Sequence, residues 1–274
     1  HWMFGIEGGL DILLSTTHLM LAAGMAIAVL APFWAAWHNP HPQEHTFKGQ
    51  IPAITSLAIS MSVLTFFTKY AHPLNLNLSE ICQGHGSVIS GPNCPTTLRS
   101  HGGVVTAIYD TTGLQLGVIS MEIQAFITIG MVLLFMRRWK PARGTMLLLF
   151  GLNGIAVSFL APGDLIEVPL RIALHLIMGL ICEILVAKIN PELGGLHLRS
   201  FSFLLPFMTT LLWWIVISYF YGFAIETEGL EVRFQPLGWT VHGTFGAFFL
   251  AGCTGLLTSL FMFPPEIPNM EDTA

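Results

Sequence analysis

EVPLRIALHLIMGLICE, residues 167–183, is the stretch on which the reading of this chain turns. It is apolar enough for lipid, yet it carries Glu167, Arg171, His175 and Glu183 at spacings of four, four and eight. Residues four apart stand above one another on a helix, so the four form a single stripe. Asp164 or Glu167 suits the N-cap of such a helix, and Pro169 is tolerated in its first turn. An apolar helix with one polar stripe fits a membrane span that turns the stripe towards other helices.

Composition extends this reading to the whole chain. Of 274 residues, 53% are hydrophobic and only 10% charged, and the mean hydropathy is +0.67, which marks an integral membrane protein. Apolar runs of spanning length fall at about 10–37, 51–70, 113–136, 144–162, 165–189, 201–223 and 237–263. Each is long enough to cross a hydrocarbon core of about 30 Å as a helix. The expected fold is therefore an all-α polytopic bundle of about seven transmembrane helices, with residues 1–274 forming one transmembrane domain. No internal repeat or nucleotide-binding loop is visible, and a net charge of −5 argues against a nucleic-acid partner.

Lys and Arg set the orientation, because inner loops hold their excess. The densest cluster is MRRWKPAR, with Arg137, Arg138, Lys140 and Arg143. Placing it inside also puts 38–50, 190–200 and the C-terminal tail inside. The N-terminus, the 71–112 loop, the 163–166 turn and the acidic Glu226–Arg233 connection then lie outside. The expected topology is N-out and C-in, in a bacterial inner membrane. The opening His1-Trp2-Met3 suggests a segment removed upstream, in which case His1 would be a terminal copper chelator.

Cys82 and Cys94 share the outer loop, where an oxidising compartment favours a disulfide between them. Cys182 and Cys253 lie within spans and read as small buried apolar side chains.

Counting from the outer end of each span brings the rarest side chains to similar depth: His18, Glu122, Asn153, His175 and His242. Ionisable groups inside a membrane face the bundle interior, where they pair or serve a pathway. Three histidines and a carboxylate, His18, His175, His242 and Glu122, are the ligand set of a transition metal. Two such histidines would equally clamp a haem iron, and one would hold the magnesium of a chlorin. The competing reading is a structural or proton-handling polar network, which Asn153, Arg171 and Asp11 would join. Glu167 and Arg171 suit an ion pair at the outer end of their helix, while Glu183 suits Lys188 or a hydrogen bond to a neighbouring helix.

Other features add to this picture. Asp11, Ser15, His18 and Ala22 run down one side of span one, and Pro32 permits a bend near its inner end. Gly243, Ala247, Ala251 and Gly255 form a small-residue seam that should press span seven against a neighbour. His38, His41 and His45 make a His-rich inner tract, although Pro40 and Pro42 keep it from being one helix face. Trp2, Trp213, Trp214, Tyr219, Tyr221 and Trp239 suit interface levels or lipid-facing surfaces.

The run LLLFGLNGIAVSFLAPGDLIEVPLRIALHLIMGLICEILVAKINP (147–191), with RRW before it and WTVHGTFGAFFLAGCTGLLTSL (239–260) after, resembles a group of bacterial multi-spanning proteins with no assigned activity. In outline, spans with histidines towards the outer face also look like membrane copper-handling proteins and oxidase-assembly factors, a fold-level analogy. Three functions follow as expectations. One is a membrane protein holding copper or a haem-type cofactor for copper handling, electron transfer or oxidative chemistry. Another is an accessory subunit of a larger respiratory, photosynthetic or monooxygenase complex, with other membrane subunits as partners and a polar layer that is structural or binds a pigment or lipid. The third is a proton-coupled transporter, although no matching pair of broken helices appears.

Overall fold

A computed structural model describes residues 15–38, 46–68, 97–101, 104–108, 111–160, 167–220, 223–227, 230–234 and 241–265. The helices are α1 (Thr16–His38), α2 (Phe47–Phe67), α3 (Thr111–Met136), α4 (Thr145–Leu160), α5 (Glu167–Ile189), α6 (Gly195–Phe220) and α7 (Val241–Met262). Six of them are long and apolar enough to cross a membrane. The exception, α4, has 16 residues and a length of about 24 Å. The chain is thus a polytopic helical bundle, as composition implies.

Neighbouring helices close a ring in the order α2, α4, α5, α6, α7, α3 and back to α2, while α1 packs on α2. The buried core runs through this ring, with Ile54, Leu57, Ile129, Leu133, Phe150, Phe201 and Phe248 among its least exposed side chains.

Two prolines are accommodated by specific neighbours. Pro32 lacks a backbone N–H, which weakens its turn of α1. Ser56 of α2 inserts there: its hydroxyl donates to Val29 O and accepts from Phe33 N at 3.2 Å. Pro206 of α6 likewise deprives the Ser202 carbonyl of its helical donor. Gly255 of α7 lies directly against that carbonyl, and a Cβ at this position would stand 1.9 Å from Ser202 O. The predicted seam is therefore where α7 meets α6, with Ala247, Ala251 and Gly255 buried.

The helix ends on the side away from the hairpins are tied by hydrogen bonds. Buried Gln50 donates to Lys140 O at 2.7 Å and accepts from Ala142 N at 3.1 Å and the Thr145 hydroxyl at 2.7 Å. Glu183 accepts from Met146 N at 2.8 Å, placing a carboxylate at the start of α4, where the helix dipole favours it. The hydrogen bond expected of Glu183 to a neighbouring helix is thus present. Arg199 donates to Ser259 Oγ at 2.9 Å and to Phe263 O, supplying a donor to a carbonyl just past the end of α7.

Three boundaries differ from the sequence reading. Helix α6 begins at Gly195, within the expected 190–200 loop. The reversal uses positive φ at Asn190 (53°), Gly194 (70°) and Gly195 (49°), around the short 3-10 turn Pro191–Leu193. The expected outer connections also contain hairpins: β1 (Thr97–His101) pairs antiparallel with β2 (Val104–Ile108), and β3 (Phe223–Thr227) with β4 (Leu230–Phe234). Gly102-Gly103 and Glu228-Gly229 separate the paired strands, a two-residue hairpin signal that hydropathy does not register. Strands β2 and β4 lie together, so both connections occupy one side of the bundle. That arrangement agrees with four crossings between them.

Candidate functional site

The polar groups inside the bundle are distributed over separate helix contacts. Between α3 and α7, Thr254 donates its hydroxyl to Glu122 Oε2. The other oxygen, Glu122 Oε1, is buried and has no hydrogen-bond partner among the described residues. Two residues along α3, and so on nearly the opposite face, the buried Gln124 donates to Thr68 Oγ1 at 3.4 Å.

His175 occupies a different contact. It is 2% exposed, and its Nδ1 lies 2.7 Å from Arg171 O. A carbonyl only accepts, so Nδ1 carries the proton and Nε2 keeps the lone pair of the neutral ring. Helix α4 approaches through Gly154, where a Cβ would stand 2.7 Å from His175 Cβ. Trp213 of α6 meets the ring edge to face, with centroids 5.7 Å apart. Trp213 is 3% exposed, which corrects the lipid-facing alternative expected of it. The shape of the α4–α5–α6 contact overrides the usual preference of tryptophan. Arg171 is buried on the same helix. Its expected ion-pair partner, the side chain of Glu167, lies outside the described residues.

Asn153 lies at another contact, its Oδ1 accepting from the Ser62 hydroxyl of α2 at 2.8 Å. His18 lies at the start of α1, half-buried, with Nδ1 2.8 Å from Ser15 Oγ. His38, at the other end of α1, is engaged locally through Trp34 O at 2.9 Å.

Among the described residues no group of three or more His, Cys, Asp and Glu is placed to hold a metal ion. His18, Glu122 and His175 therefore do not form such a group. The backbone of His242 lies in α7, but its side chain is outside the described residues, as are Asp11, Cys82 and Cys94. The expected disulfide and the complete three-histidine set fall there too.

Sequence reasoning did not single out Thr254, the partner of Glu122, or Gln50 and Ser56. Thr and Ser are common in spans and Gln50 falls just before the expected second span, so only a neighbouring helix gives these three their roles. Comparison of the chain with protein-family models, curated proteins and solved structures finds no match.

Proposed function

We propose that this integral membrane protein handles protons or small cations, with Glu122 as the binding group at the α3–α7 contact. The observation that carries this reading is the buried Oε1, which lacks a donor while Thr254 serves Oε2. A buried carboxyl group in this state is completed by a proton, a cation or a polar ligand hydrogen. The function is proton-coupled transport or a proton relay serving a larger membrane complex. As part of the same proposal, the protein resides in a bacterial inner membrane beside other membrane subunits.

Infrared difference spectroscopy of reconstituted protein across a pH or sodium titration tests the reading. A carboxyl signal should change in the wild type and vanish in Glu122→Gln. Glu183→Gln, which alters the other carboxylate that makes a helix-to-helix hydrogen bond, should keep it. An identical response in wild type and Glu122→Gln would refute the assignment.

A second reading, a protein that holds copper or a haem-type cofactor, draws on His175. An imidazole with Nδ1–H given to a carbonyl has the tautomer and fixed ring orientation of a metal-ligating histidine. Among the described residues no group of three or more His, Cys, Asp and Glu includes it, so this reading draws on His242 pointing to the same place. Elemental analysis and an optical spectrum of purified protein, repeated for His175→Ala and His242→Ala, separate it from the first.

A further inference from the structure

Three inner segments meet at one corner of the bundle. The α3–α4 connection lies on the start of α2 through the bonds of Gln50, and a Cβ at Gly144 would stand 3.5 Å from the Phe47 ring. The same connection touches the end of α1, where Arg138 Nε donates to Trp37 O at 3.3 Å. Lys48, Arg137, Lys140 and Arg143, all exposed, are thereby gathered with Arg138. Lys140 pairs with Glu192 at 2.8 Å, and the exposed Lys48, Arg137 and Arg143 leave the corner with an excess of positive charge. Beneath it lies an aromatic cluster: Trp139 packs against Phe33, Trp37 and Phe135 with centroids 5.3–5.7 Å apart. Trp34 stacks on His38 and is 51% exposed. Since α1 to α4 end or begin here, the corner stands at the level of the lipid headgroups.

From this arrangement we infer a binding site for the headgroup of an anionic phospholipid. The guanidinium groups of Arg137 and Arg143 meet the phosphate, and the Trp34 face lies along the upper acyl chain. Basic residues at the membrane surface attract acidic lipids electrostatically, and indole rings favour the same level. An acidic protein partner would need a surface projecting clear of the headgroups, whereas the exposed Trp34 belongs to a lipid-facing helix.

Native mass spectrometry of the protein released from nanodiscs of phosphatidylcholine mixed with phosphatidylglycerol tests the inference. The wild type should retain phosphatidylglycerol preferentially, and Arg137→Gln/Arg143→Gln should lower that preference by about tenfold. Lys188→Gln, which removes an exposed cation from the end of α5, should leave it intact. The charge-conserving Arg137→Lys/Arg143→Lys should retain most of it and shows that the doubly altered loop still folds. Equal retention of both lipids, or an undiminished preference in the double Gln variant, overturns the proposal. So does thermal stabilisation by inorganic phosphate equal to that by phosphatidylglycerol, since the ligand would then be a free anion.

Discussion

Gly255→Ala should open the α6–α7 crossing. The added Cβ would stand 1.9 Å from Ser202 O, 2.6 Å from Pro206 Cγ and 3.0 Å from Ser202 C. An ordinary carbon–oxygen contact needs about 3.3 Å, so α7 must retreat by more than about 1 Å. The nearest obstacle is backbone, which no rotamer change relieves, and Pro206 prevents that turn of α6 from closing on its own donor. Overpacking typically costs about 1–3 kcal/mol, and an immovable obstacle puts this case near the top of that range. The melting temperature should fall by roughly 5–10 °C. The assay is thermal unfolding in detergent, read by size-exclusion recovery after heating. Gly246→Ala on the same helix is the control, because a Cβ there meets nothing within 4 Å. It should be neutral, or stabilising by up to about 1 kcal/mol through helix propensity. Equal melting of the two variants would refute the close crossing.

Three further outcomes are expected. Gln50→Leu removes the partner of two groups in the α3–α4 connection and of the Thr145 hydroxyl at the start of α4, leaving Ala142 N without its acceptor; it should cost about 1–3 kcal/mol and speed hydrogen exchange at Ala142. Ser56→Ala leaves Phe33 N and Val29 O without the bridging hydroxyl beside Pro32, so a loss of about 1 kcal/mol and faster exchange at Phe33 should follow, with neighbouring α2 amides unchanged. In intact cells after reduction, impermeant thiol reagents should label Cys82 and Cys94 from outside, while Cys182, 0% exposed, stays unlabelled; labelling of the first two only after the inner side is opened would reverse the topology.

How far the candidate site was legible differs residue by residue. Glu122, His175 and Asn153 stand out because ionisable and amide groups are rare in lipid, and all three make interhelical or interior contacts here. Their grouping was not legible. Depth along a span is a single coordinate, and residues at similar depth on different helices face one another only if rotation and neighbour order agree. Here Glu122 faces Thr254 on α7, whereas His175 is held by α4 and α6.

By itself the sequence determined the class, the number of apolar segments, the seam on α7 and the basic cluster between the third and fourth segments. These depend on residue type and on periodicity along one segment, which transfer free energy and helical geometry control locally. Tertiary structure alone decided the ring order, the pairing of Pro206 with Gly255, the insertion of Ser56 beside Pro32 and the burial of Trp213. In lipid the apolar faces of all the helices are nearly equivalent, so hydropathy does not choose neighbours. Close packing and the need to satisfy each freed backbone or side-chain polar group choose them instead.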